Sequence, residues 1–119
     1  MASEAGDRMA VLQGTLDLIV LRTLKSMGPQ HAYAIATRIQ QMSEDLLHLN
    51  QGTLYPALVR LEQQGRIKGT WGTTESNRKA KYYRLTPAGR KQLLEQTNGW
   101  DRLVRAIGII LHGAKEERP

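Results

Sequence analysis

From Thr15 onward the apolar residues Leu16, Ile19, Val20, Leu24 and Met27 recur at helical spacing and predict a first helix. Gly28-Pro29 ends it, because proline cannot continue a helix and glycine accepts the left-handed capping conformation. A second helix is predicted from His31 to Met42, with Ala32, Ile35, Ala36 and Ile39 along one face. The linking segment Glu44–Asn50 ends in Leu47-His48-Leu49, an alternation that suits one short strand. A third helix over Gln51–Gln64 sets Leu54, Ala57, Leu58 and Leu61 at i, i+3, i+4 and i+7. Asn50 is placed to cap its start and Gly65 to close its end. Pro56 should adjust the first turn, since its ring crowds the carbonyl of Gly52.

Beyond Gly65 the period falls from 3.6 to 2. Ile67, Gly69 and Trp71 alternate with Lys68 and Thr70, and after a polar stretch from Gly72 to Lys79 a second run sets Tyr83 and Leu85 against Tyr82 and Arg84. Two such runs joined by a polar loop predict a β-hairpin, with Tyr83 on its buried face. Thr86-Pro87 then restarts a helix, threonine as cap and proline at the first helical position, running to about Leu111. Three helices, a hairpin and a long helix are the element order of a winged helix-turn-helix. The expected fold class is therefore α+β, mostly α, with a two-stranded wing and a long C-terminal dimerisation helix. The expected organisation is an arm over 1–11, a winged helix over 12–85, a dimerisation helix over 86–112 and a charged tail over 113–119. A generic small α+β domain with a solvated basic hairpin is the plainer alternative.

Charge sharpens this picture. The chain carries a formal net charge of +6 over 119 residues. Residues 66–84 hold Arg66, Lys68, Arg78, Lys79, Lys81 and Arg84 against Glu75 alone, a net of +5. So concentrated an excess points to a polyanion as partner. The absence of cysteine excludes disulfides, thiolate metal sites and thiol nucleophiles. His31, His48 and His112 fall on separate elements without metal-ligand spacing, and no phosphate-binding glycine loop follows a strand. An enzyme is not expected, nor any cofactor or metal. No run of about 18 apolar residues is present and the first residues do not form a signal peptide, so the expected location is cytoplasmic, away from membranes.

Several blocks resemble the PadR family of bacterial transcriptional regulators. They are Gln13-Gly14-Thr15-Leu16-Asp17, His31-Ala32-Tyr33-Ala34-Ile35, Gly52-Thr53-Leu54-Tyr55-Pro56-Ala57-Leu58 with Arg60-Leu61-Glu62 and Gly65, and Arg78-Lys79-Ala80-Lys81-Tyr82-Tyr83-Arg84-Leu85-Thr86 with Gly89. The resemblance spans residues 12–112, and the single last helix is similar to the shorter subgroup. It implies a repressor-type regulator that dimerises and often responds to a small molecule.

Once the third helix buries its stripe, Gln51, Thr53, Tyr55, Val59, Arg60 and Gln63 remain for solvent or a DNA major groove. A recognition helix enters that groove by its N-terminus, so early residues reach base edges and later ones phosphates. The DNA-binding candidates are Gln51, Thr53, Tyr55 and Arg60 there, Arg78, Lys79 and Lys81 at or near the hairpin tip, and Tyr33 beside His31 at the second helix's start. Each has a plainer reading as a surface group. On the last helix Leu93, Trp100 and Ile107 lie seven apart, with Leu103 and Ile110 between and Val104 and Leu111 widening the stripe. That breadth calls for a partner helix, and two-fold operators need two readers. The expected partners are double-stranded DNA and a second copy of the chain; a winged helix used for protein contacts without DNA binding is the rival reading. A small aromatic effector is added by the resemblance, with Trp100 as its ligand-binding residue; filling the dimer core is the alternative role for that ring.

Overall fold

The computed structural model describes residues 13–113, and the expectations for the arm and for the tail beyond Gly113 lie outside them. Helix α1 spans Gln13–Met27, α2 Ala32–Met42 and α3 Gln51–Gln63. Strands β1 (Ile67–Thr73) and β2 (Lys79–Leu85) form an antiparallel pair, and α4 (Pro87–His112) closes the order. This is the winged helix-turn-helix arrangement expected from the periodicities.

One core gathers a face from every element. Leu16, Val20, Leu21 and Leu24 of α1 meet Ile35 and Ile39 of α2, the α3 stripe Leu54, Ala57, Leu58 and Leu61, and Ile67, Tyr83 and Leu85 of the hairpin. Thr23, buried among them, satisfies its hydroxyl by donating to the Ile19 carbonyl at 2.7 Å. Leu93 also belongs to this cluster, at 5% exposure. It was expected on the dimer face; the first half of α4 instead packs against its own α1, which takes Leu93 inward.

The ends of α3 explain its position. The Asn50 side chain accepts from the Thr53 amide at 2.9 Å, and the Asn50 carbonyl accepts from both Thr53 and Leu54, a tightened first turn ahead of Pro56. At the other end Gly65 takes φ +75°, Arg66 N–H donates to Leu61 and Gly65 N–H to Glu62. Those paired bonds are a Schellman termination, and they turn the chain straight into β1.

Two local readings change. Residues 47–49 are not a strand. The free edge of β2 is taken by Gln30 of the α1–α2 connection, which exchanges two backbone bonds with Tyr83, at 3.0 and 2.8 Å. Leu47 and Leu49 pack against the core as plain extended chain. The hairpin loop is also shorter than Gly72–Lys79, since pairing continues to Thr73 and Lys79. Asn77 there adopts φ 64°, the left-handed residue that a short hairpin turn requires.

At the root of the hairpin the chain crosses itself closely. Thr86 caps α4 by accepting from the Gly89 amide at 3.0 Å, while its hydroxyl donates to the Gly65 carbonyl at 2.7 Å. A Cβ at Gly89 would stand 2.0 Å from the Arg66 carbonyl oxygen and 2.9 Å from Leu85. Gly89→Ala should therefore lower the free energy of unfolding by about 1–3 kcal/mol, the range for overpacking a fitted site. Urea unfolding of the two proteins checks this; an unchanged midpoint would refute it.

Candidate nucleic-acid interface

The start of α2, the start of α3 and one face of the wing surround a concavity of about 940 Å³. Tyr33, Gln51, Tyr55, Trp71, Arg78 and Lys79 all line it. The fold thus brings together candidates from residues 33 to 81, Lys81 among them, that the sequence could only treat separately. Gln51 and Thr53 lie exposed in the first turn of α3, and Tyr55 one turn further. Arg78 and Lys79 are exposed at the wing tip and form no ion pair among the described residues. The tip is shaped by Thr74, whose carbonyl accepts from Asn77 at 2.9 Å and whose hydroxyl accepts from the Arg78 amide at 3.1 Å.

His31 has a structural task at this edge. Its Nδ1 accepts from the Ala34 amide at 3.3 Å, capping α2, and its ring meets Tyr82 edge-on at 5.4 Å. Imidazole caps α2 in the tautomer that leaves Nδ1 free to accept. Tyr33, by contrast, points outward.

Two of the expected phosphate ligands are paired with carboxylates, although Lys81 also lines the concavity. Arg60 pairs with Asp17, binding α3 to α1, and its side chain is only 26% exposed. It lies between Leu58 and Leu61 of the buried stripe, on the flank turned towards α1. Lys81 pairs with Glu62 at 2.9 Å. The other oxygen of Glu62 accepts from the Gly69 amide at 3.1 Å. One carboxylate therefore clasps both strands of the wing to α3. Gly69 makes room for this, since a Cβ there would lie 2.4 Å from the Lys81 Cε. Sequence reasoning missed Glu62, whose partners are seven and nineteen residues away. It also missed Trp71, which stands on the face of Ile67 but beyond the edge of the core.

The hydrogen bond from Lys81 holds the Glu62 carboxyl below its ordinary 4.5, with the Gly69 amide helping and burial opposing. The same bond raises Lys81 above 10.5. Burial raises the Tyr83 phenol.

On α4 the apolar residues beyond Thr97 find no cover. Trp100, Leu103, Val104, Ile107, Ile110 and Leu111 are all exposed, and every residue from 98 to 107 is too. Near its base, α1 and α2 frame an apolar hollow of about 420 Å³, lined by Leu18, Ile19, Ile39, Met42, Leu47 and Thr97.

The model of the transcriptional regulator PadR-like family matches residues 20–95, more than half of the chain. The chain belongs to this family. Among solved structures, a transcriptional regulator from Clostridium thermocellum is 32% identical with a TM-score of 0.73, over 81% of this chain and 92% of that one. A PadR family transcriptional regulator from Eggerthella lenta is 31% identical, also with a TM-score of 0.73, over 86% of each chain. A transcriptional regulator of Mycobacterium tuberculosis is 35% identical over 57% of this chain and 63% of its own length. The family blocks now have physical content here. Glu62, Gly65, Thr86 and Gly89 build the junction of α3, wing and α4, Tyr55, Arg78 and Lys79 line the groove, and Lys81 does both. Among the described residues no helix is long and apolar enough to cross a membrane.

The clasp has a defined pH window. A carboxyl depressed in the folded protein stabilises above its ordinary value and loses that contribution as pH falls through the folded pKa. A raised ammonium stabilises below its ordinary value and loses it as pH rises past the folded one. The Glu62–Lys81 pair should thus stay intact between 4.5 and 10.5. In NMR the Gly69 amide should hold a constant downfield shift through that range and move with a midpoint below 4.5. The acid step should vanish in Glu62→Gln; a midpoint at or above 4.5 in the parent would contradict the clasp.

Proposed function

We propose that this PadR-like protein is a DNA-binding repressor that grips a roughly palindromic operator as a homodimer. The observation that carries the reading is the groove, where an exposed helix start meets an exposed cationic wing tip. Gln51 and Thr53 are the base-reading residues, since a recognition helix presents its first turn to the major groove. Arg78 and Lys79 bind phosphate from the wing, and Tyr33 and Tyr55 meet the backbone from the helices. Arg60 and Lys81 act indirectly, by holding α3 and the wing in place.

The bare face of α4 supports the dimer. Seven large apolar side chains exposed beyond Thr97, Ile109 among them, exceed what a lone small domain leaves in water. The apolar hollow between α1 and α2 offers a matching receptor of the same chemistry. Trp100, Leu103, Val104, Ile107, Ile110 and Leu111 then form the interface, while Leu93 stays within its own protomer.

Binding measured by gel shift across a salt series separates the roles. Arg78→Ala with Lys79→Ala should weaken all duplexes alike and flatten the slope of log affinity against log salt by about two, one for each phosphate no longer neutralised. Gln51→Ala should leave the slope unchanged and erode preference for the operator over scrambled duplex. A double variant with an unaltered slope would sink the assignment of the wing. For the dimer, Ile107→Asp should give a monomer in analytical ultracentrifugation and weaken duplex binding by at least about 100-fold, as linked half-sites lose each other's help. A parent chain that sediments as a monomer at micromolar concentration would overturn the dimer.

A further inference from the structure

Trp71 is the exposed large apolar side chain of the wing, outside the core. It is 65% exposed, near the free end of β1. An exposed indole is unusual unless something covers it in use, since tryptophan has more apolar surface to hide than any other residue.

Its neighbours explain why it stays bare. Trp71 pairs across the hairpin with Lys81. In such a pair a lysine stem commonly lies along the aromatic ring. Here the stem lies over Gly69 and the ammonium is drawn to Glu62, with Tyr83 as the ring beneath it at 5.7 Å. The clasp that fixes the wing therefore draws away the apolar stem of the residue directly opposite the indole. What remains is a flat ring on the wing face that looks into the groove, opposite Tyr55, 52% exposed, and Tyr33, 73% exposed.

We propose that Trp71 is a DNA-contacting residue, whose indole packs on a deoxyribose and donates its Nε1–H to a phosphate of a duplex lying in this groove. The proposal rests on the DNA-binding reading above. The chemistry of the ring selects the backbone: indole offers one donor and no acceptor, which suits phosphate, and a plane that suits the sugar's apolar face. Stacked bases inside a duplex offer it no open plane. The neighbouring Arg78 and Lys79 bring the same strand within reach from the wing tip. Trp71 adds a neutral contact between cationic ones, so it contributes affinity without displacing counterions.

The test uses the whole chain and a random-sequence duplex of about 30 base pairs at low salt, where backbone binding alone is read. Trp71→Ala should weaken binding roughly ten-fold with the salt slope unchanged, and Trp71→Phe, which keeps a ring but lacks the donor, roughly three-fold. Circular dichroism melts of both should match the parent, because the ring is mostly exposed and is not part of the core. In a Trp100→Phe background, Trp71 emission should change saturably with the duplex at the stoichiometry seen in the gel. If that background fails to assemble, the difference between parent and Trp71→Phe titrations gives the same signal. Parental affinity in Trp71→Ala, or emission blind to a duplex the gel shows to be bound, overturns the proposal and leaves the DNA-binding reading standing. A weaker grip on single strands but not on duplex also overturns it, making the ring a base-stacking platform. A parent that binds no duplex at any salt removes both readings.

Discussion

No side chain fits between residue 89 and the carbonyl of Arg66, and much of the geometry of the molecule follows from that close approach. The helix that would read DNA ends at Gly65; the wing starts two residues later and returns to Thr86; the long helix starts at Pro87. All three leave from a single crossing, pinned by the Thr86 hydroxyl on the Gly65 carbonyl and by the Thr86 amide on the Arg66 carbonyl. The angle between α3 and α4 is thereby set by backbone contacts, which tolerate less adjustment than packed side chains. In a dimer joined through α4, that angle would fix the separation of the two reading heads.

The clasp at Glu62 does for the wing what the crossing does for α4. A two-stranded hairpin is at best marginally stable alone. Here its buried half is anchored by Ile67, Tyr83 and Leu85, and its middle by a carboxylate that holds one backbone amide and one lysine. The outer part, from Trp71 to Lys79, has no such anchor and presents its charges and its ring freely. Stability and contact are separated along the same seven residues of each strand.

The elements were legible because each announces its own period. The α3 stripe, the Asn50 and Thr86 caps, the change to alternation at Ile67 and the inward side of Tyr83 are local signals, and the structure bears them out. What could not be read depends on meetings between distant residues. Arg60 looked like a surface cation until α1 brought Asp17 beside it, 43 positions away. Lys81 looked like a member of the tip cluster, and its alternation gave no hint of a glutamate in the preceding helix. The residues 47–49 had a strand's pattern but no strand to pair with, since Gln30 already held the edge. Leu93 fitted the heptad of α4, yet periodicity cannot tell which turn of one helix packs within its own chain and which faces outward.

That division along α4 makes a single helix two things in energetic terms. Its first turns share the cooperative core through Gly89 and Leu93, so they open only when the domain does. Its last turns, from about residue 98, are held in one protomer by little beyond their own backbone bonds, and an isolated helix shorter than about 12–15 residues is marginal in water. Amide protection should grade from that of the core to that of a fraying end within one unbroken helix. Anything that covers the outer turns would then be felt as order travelling inward, towards the crossing from which α3 and the wing both depart.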